Sequence, residues 1–257
     1  MHNMIQKIIA KKQQDLALQK QEVSLKEIKK QTETNQVNSQ FYNAIKQANK
    51  AIIAELKLAS PSAGVLGSQE MLLAKAKTYK KVKVTAISVI TEEHFFNGKP
   101  EFVVKVKQAT KLPVLQKDFV VDAYQIYQAA SLGSDALLFI ARIVNANELQ
   151  EFVLLAQSLG IEPVVEIVNK EDLAKAVTTN TRIIAVNSRD LDTFKINIPA
   201  ATRLMHEIPV KYEKLGFSGI STKQDAVSYF SAGANGILIG TTLMKEVNVD
   251  AFISSLR

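Results

Sequence analysis

Residues Ala51-Ile52-Ile53-Ala54-Glu55-Leu56-Lys57 mark a change of character in the 257-residue chain. A short apolar run rich in β-branched side chains reads as a strand buried on both faces. Glu55 and Lys57, two residues apart, interrupt it on one face near its end. From here onward short apolar runs alternate with longer stretches of helical period. The runs are residues 51–57, 82–89, 112–116, 135–140, 162–168, 182–187, 210–216 and 235–240, the seventh being the least apolar. Helices are expected near 68–78, 100–110, 122–132, 146–158, 170–178, 199–207, 223–232 and 247–256. Two helix exits, Leu132-Gly133-Ser134-Asp135 and Ala232-Gly233-Ala234-Asn235, carry the glycine that permits a left-handed C-cap before the next strand. This is the βαβ rhythm of a parallel sheet. Eight successive units favour closure into a (β/α)8 barrel, the TIM-barrel class, over an open doubly wound sheet.

Upstream of Ala51 the chain is rich in Lys, Gln, Asn and Glu, has no Gly or Pro, and is weakly amphipathic around Met4, Ile5, Ile8 and Ile9. Residues 1–50 therefore read as a helical extension laid against a barrel, with 1–257 as a single domain. A hydrophobic share of 47 % with 22 % charged residues can build a large core, which argues against disorder. Zero cysteines exclude disulfides, thiolate metal sites and a thiol nucleophile. Three histidines make a histidine metal site improbable, and neither a metal nor a cofactor is expected. No run reaches the length of a membrane span and no secretory signal is evident, so a cytoplasmic chain without membrane partners is expected. The net charge of +7 comes from scattered lysines without a nucleic-acid-binding motif. It reads as a solvated surface that would speed encounter with an anionic small molecule.

The strands stop being apolar at their C-terminal ends. Lys117 follows 112–116, Glu166 interrupts 162–168, and Asn187 ends 182–187. Singly, each has a plain alternative: a strand-end ion pair for Glu55 and Lys57, a snorkelling lysine for Lys117, a turn residue for Asn187. Buried charges are costly, and in a barrel these ends converge on one rim, where active sites lie. Ser60-Pro61-Ser62-Ala63-Gly64, Ser218-Gly219-Ile220-Ser221 and Gly240-Thr241-Thr242 follow the first, seventh and eighth strands. Small-residue turns are common for local reasons. At the last two positions they also suit a phosphate, because glycine lets backbone N–H groups approach oxygens.

Several segments carry a more specific signal. Ile53-Ala54-Glu55-Leu56-Lys57 running into Ser60-Pro61-Ser62, and Ile87-Ser88-Val89-Ile90-Thr91-Glu92 with Phe95-Phe96-Asn97-Gly98, resemble the indole-3-glycerol phosphate synthase family. So do Pro113-Val114-Leu115 with Lys117-Asp118-Phe119, Glu162-Pro163-Val164-Val165-Glu166-Ile167, Asn187-Ser188-Arg189-Asp190-Leu191, Ser218-Gly219-Ile220-Ser221 and Ile239-Gly240-Thr241. The similarity covers nearly the whole chain, in order. It implies a metal-free and cofactor-free conversion of 1-(2-carboxyphenylamino)-1-deoxyribulose 5-phosphate into indole-3-glycerol phosphate, CO₂ and water.

On that resemblance Lys117 is the general acid at the carbonyl oxygen, suited to the task if neighbours lower its pKa toward working pH. Glu166 carries the proton transfer of the dehydration, where a raised pKa is useful. Glu55 and Lys57 form the polar network around Lys117. Asn187 and Arg189 orient the sugar hydroxyls and the carboxylate, the alternative for Arg189 being a surface ion pair. Ser218 completes the catalytic set. Phe96, Phe119 and Leu138 wall the aromatic ring unless they are ordinary core residues, and Ser60, Gly219, Gly240 and Thr241 cradle the phosphate. His94, in the second loop, reads as solvated rather than catalytic. The resemblance implies a phosphorylated small-molecule partner and a monomer or weak homo-oligomer. Two positions depart from the family pattern: Phe217 stands where a Glu usually precedes Ser-Gly-Ile-Ser, and Leu58 replaces a basic residue after Lys57. A phosphoribosyl isomerase normally needs a Cys or Asp acid/base pair, and the chain has no Cys. The remaining alternative is a barrel that binds a phosphorylated ligand without turnover.

Overall fold

The computed structural model describes residues 4–32, 40–190 and 192–256. Residues 1–3 and 33–39 of the expected extension, together with Leu191 and Arg257, lie outside the described residues. Eight parallel strands close a barrel: β1 (Ala51–Leu56), β2 (Ala86–Ile90), β3 (Val114–Lys117), β4 (Ala136–Ile140), β5 (Glu162–Ile167), β6 (Ile183–Asn187), β7 (Glu213–Phe217) and β8 (Gly236–Ile239). They pair in chain order, and β8 returns to β1 with Ala51 opposite Gly236. The expected (β/α)8 architecture is borne out.

Two strands begin three or more residues later than expected. Residues 82–85 do not join β2, because α4 (Gln69–Lys81) continues beyond residue 78. Val82 then caps it, and Lys83 turns the chain with φ 56°. The seventh strand starts at Glu213, after a turn in which the Tyr212 amide donates to the Pro209 carbonyl, and it takes in Phe217. Both shifts have one cause: an apolar valine beside a turn resembles a strand start in sequence, while the turn itself keeps the backbone from extending until later.

Alternation along each strand builds two cores. Ala51, Ile53, Leu115, Leu138, Val164, Ile183, Ala185, Leu215 and Leu238 fill the barrel. Ile52, Ala54, Leu137, Phe139, Val165, Ile184 and Ile237 pack outward with apolar residues of the surrounding helices. Because inward positions recur every second residue, Glu55, Lys117, Glu166, Asn187 and Phe217 all fall on the inner face at strand C-termini.

The extension supplies α1 (Met4–Glu22), α2 (Leu25–Thr32) and α3 (Gln40–Gln47). Phe41 and Ile45 of α3 and Ile8 of α1 join the interior cluster. Lys12 of α1 pairs with Asp118 beyond β3 at 2.9 Å, and Asp15 pairs with His94 beyond β2 at 2.7 Å. His94 is thus exposed but held. No helix among the described residues is long and apolar enough to cross a membrane.

Candidate active site

The strand C-termini open into a cavity of about 410 Å³. Every residue singled out above as catalytic or substrate-binding lines it. Glu55 (β1), Lys57, Lys117 (β3), Glu166 (β5) and Asn187 (β6) come from the strand ends. Ser60, Phe96, Phe119, Arg189, Ser218, Gly219, Gly240 and Thr241 come from the loops beyond them, and Leu138 from β4.

Glu55 organises the charged side. Its two carboxylate oxygens accept from Lys57 Nζ at 2.8 Å and Lys117 Nζ at 3.2 Å. Burial works against the carboxylate, yet the two lysines pull its pKa down to about 2. Gly240 makes room for this arrangement: a Cβ there would lie 2.1 Å from Glu55 Oε1 and 3.0 Å from Lys57 Nζ. Burial also disfavours the Lys117 ammonium, but attraction to Glu55 and Glu166 outweighs it and raises the pKa. The condition that neighbours lower it is therefore not met; two carboxylates facing one buried lysine act the other way.

Glu166 behaves oppositely. Burial raises its pKa, against the pull of Lys117 and of the hydrogen bond that Asn187 Nδ2 donates to Oε1 at 3.1 Å. Its Oε2 is buried and has no hydrogen-bond partner among the described residues. Asn187 Oδ1 meanwhile accepts the Arg189 amide at 3.0 Å, fixing the loop that carries the guanidinium. Arg189 donates to the Phe194 carbonyl at 3.0 Å and makes no ion pair among the described residues, so the surface-pair alternative is not taken.

The opposite side is apolar and small. The Phe96 and Phe119 rings stand 6.4 Å apart, tilted by 38°. Phe119 and Leu138 are core residues as well as cavity walls. Ser218 and Gly219 both adopt left-handed backbone, φ 68° and 78°, and a Cβ on Gly219 would meet Ile196 at 2.7 Å. The Thr242 hydroxyl donates to the Ile220 carbonyl at 2.7 Å, tying the loop after β8 to the one after β7. Beyond Gly240 runs a short helix, Thr241–Lys245, and Lys75 Nζ donates to the carbonyls of Leu243 and of Glu246 at its end.

Glu92, Asp118, Phe194 and Ile196 also line the cavity and were not singled out. Glu92 accepts backbone N–H groups from His94, Phe95 and Phe96, so it shapes the loop that presents Phe96. A rule slightly wider than the one that found Lys117, a charge within two residues of the end of an apolar strand, would have found Glu92.

A family model described as indole-3-glycerol phosphate synthase matches residues 5–256. The chain belongs to the indole-3-glycerol phosphate synthase family. Curated relatives of that name include one from Caldanaerobacter subterraneus, 40 % identical over 90 % of this chain and 93 % of its own. Another, from Clostridium kluyveri, is 34 % identical over 97 % of each chain. Among solved structures, thiamine phosphate pyrophosphorylase from Pyrococcus furiosus superposes with a TM-score of 0.60 at 13 % identity. It covers 81 % of this chain and 94 % of its own, a likeness of fold alone.

Against the family pattern, the two departures sit differently. Leu58 is buried in the core between barrel and helices and does not line the cavity. Phe217 is fully buried on the inner face at the end of β7, in register with Asn187 and Leu238. Lys117 Nζ lies over its ring, 4.9 Å from the centroid.

Proposed function

We propose that the chain catalyses ring closure, decarboxylation and dehydration of 1-(2-carboxyphenylamino)-1-deoxyribulose 5-phosphate to indole-3-glycerol phosphate, a step of tryptophan biosynthesis. The observation that carries this reading is one cavity in which a charged ammonium, Lys117, and a partly unsatisfied carboxyl, Glu166, face each other above an apolar wall and small-residue turns. The phosphate is assigned to the turns at Ser60, Gly219, Gly240 and Thr241. The aromatic ring is assigned to the wall of Phe96, Phe119 and Leu138, and its carboxylate to Lys57 and Arg189.

Attack of the carboxylate-bearing ring carbon on the sugar ketone forms a C–C bond and leaves an alkoxide. Lys117 supplies the proton. The alkoxide is a stronger base than an amine, so the transfer runs downhill even from an ammonium whose pKa is raised. CO₂ then departs, its bonding electrons returning to the ring. Loss of the new hydroxyl as water needs one proton delivered to oxygen and one removed from the ring system. Glu166 exchanges protons in this phase, because desolvation stabilises its neutral form and makes it a better proton carrier than an ordinary exposed carboxylate. Asn187 holds one of its oxygens and leaves the other for the substrate. Ser218 sits where the sugar hydroxyls would lie.

All assigned groups belong to one chain, which supports action as a monomer or weak homo-oligomer. Insertion of Phe41, Ile45 and Ile8 into the barrel core supports treating residues 1–257 as one domain. A small phosphorylated metabolite as substrate fits a cytoplasmic site of action.

The test is to mix purified protein with the anilino-deoxyribulose phosphate, without added metal or cofactor, and follow indole fluorescence. Appearance of indole-3-glycerol phosphate is expected. Absence of product would overturn the reading, and phosphate-ligand binding without turnover would favour a non-catalytic barrel.

A further inference from the structure

We infer that Phe217 is a positioning residue for Lys117: its ring face is the floor that holds the ammonium at the height from which it reaches the substrate. This deepens the reading above and rests on it. β3 and β7 are four places apart in an eight-stranded ring, so they lie opposite each other. The Lys117 side chain spans the barrel and ends over a ring contributed from the far side.

Two contacts define where Nζ sits. Glu55 Oε2 accepts from it at 3.2 Å, and the Phe217 centroid is 4.9 Å away. Glu55 alone would let the ammonium pivot about a single hydrogen bond. The ring face attracts the cation from a second direction without accepting a directed N–H bond, so the remaining N–H groups stay available to the cavity that Lys117 lines. A carboxylate at position 217 would compete for those hydrogen bonds and hold the proton by direct ion pairing. Phe217 itself does not line the cavity and so acts only through Lys117. The competing account is that Phe217 merely fills the core with Leu215 and Leu238. The two accounts diverge because filling depends on volume, whereas holding a cation depends on the electron density of the ring face.

The experiment replaces Phe217 with mono-, di- and trifluorinated phenylalanine, which keep the shape while weakening the negative ring face, and with Leu (Phe217→Leu). Turnover of the anilino-deoxyribulose phosphate is measured against pH, and the Lys117 side-chain pKa is followed by NMR on isotopically labelled lysine. Expected are a graded fall in kcat along the fluorine series, reaching roughly tenfold for Phe217→Leu, with KM nearly constant. The basic limb of the profile and the Lys117 pKa should both move down, by about one unit for Phe217→Leu. A kcat and a Lys117 pKa that ignore fluorination would overturn the inference, as would a loss confined to KM. The NMR readout needs no turnover. If the unsubstituted protein makes no indole product, the reading of the reaction fails, while the pKa series still decides whether the ring holds the ammonium.

Discussion

Glu162 and Glu166 lie on the same face of β5, two strand repeats apart with Val164 between them, and both are buried in the barrel wall. Burial pushes both carboxyl groups up in pKa. Their surroundings nevertheless differ. Glu162, at the floor, is met by the Arg182 guanidinium through both oxygens, and Arg182 is in turn stacked 3.8 Å from the Tyr42 ring of α3. Glu166, at the rim, receives one hydrogen bond and keeps one oxygen unpartnered among the described residues. A carboxylate kept for structure is closed off by its partners; one kept for chemistry carries an unmet hydrogen-bonding demand that a substrate can meet. On the proposed mechanism the same strand, four residues on, changes from architecture to function.

The widest difference between rim and floor is expected at Glu55, the hub of the rim. Its folded-state pKa of about 2 lies below the ordinary 4.5, so its ionised form stabilises the fold above pH 4.5, and that contribution disappears as pH falls toward 2. Glu55→Gln should lower stability at neutral pH by roughly 3 kcal/mol, leave Lys57 and Lys117 without their common anion, and remove most turnover. Denaturant unfolding at pH 7 and at pH 3 checks this: the gap between variant and parent should narrow at the lower pH. An equal gap at both would mean that the lysines do not depend on Glu55.

Lys117→Ala should cut kcat by about 10²-fold or more, as expected for loss of a general acid, with the protein still folded by circular dichroism. Near-normal turnover would remove Lys117 from that role. Glu166→Gln should cost a similar factor of about 10² in kcat while leaving stability unchanged or slightly raised. The sign follows from its raised pKa. The neutral form favours the fold, so the parent loses stability as pH rises from the ordinary carboxylate range through the folded-state value. A neutral amide removes that dependence. A variant that lost turnover and stability together would mean that Glu166 holds up the fold as well as the site.

What could be read from the sequence was whatever repeats or sits next to a repeat. Eight apolar runs disclose the barrel, and charges at their ends disclose the rim, because period-two alternation converts a position along a strand into a direction. Strand starts at residues 82 and 210 were misjudged, since whether a valine pairs or turns depends on neighbours distant in the chain. The direction of the Lys117 pKa could not be read from the sequence for a related reason. It is set by Glu55 and Glu166, sixty-two and forty-nine positions away, and by distances that spacing does not reveal. Phe217 was visible as a departure from the family pattern. Its place beneath Lys117 was not, because that contact spans the barrel from strand to opposite strand.

The smallest effect is expected at the floor, and it is the one that sharpens the comparison most. Arg182 is substantially exposed, with a side-chain accessibility of 44 %, so losing its partner leaves a cation that water can still solvate. Glu162→Gln should therefore alter stability by no more than about 1 kcal/mol and shift Tm by about 2–4 °C at most. Its kcat should stay within about twofold of the parent, since it does not line the cavity and its side chain bonds Arg182 and, through it, reaches α3. The measurement is a paired one, thermal unfolding and turnover on the same preparation, set beside Glu166→Gln. If Glu162→Gln instead lost kcat while keeping its Tm, the floor of the barrel would be coupled to the rim through β5. The difference between the two glutamates would then be one of degree along a single conducting strand rather than one of role.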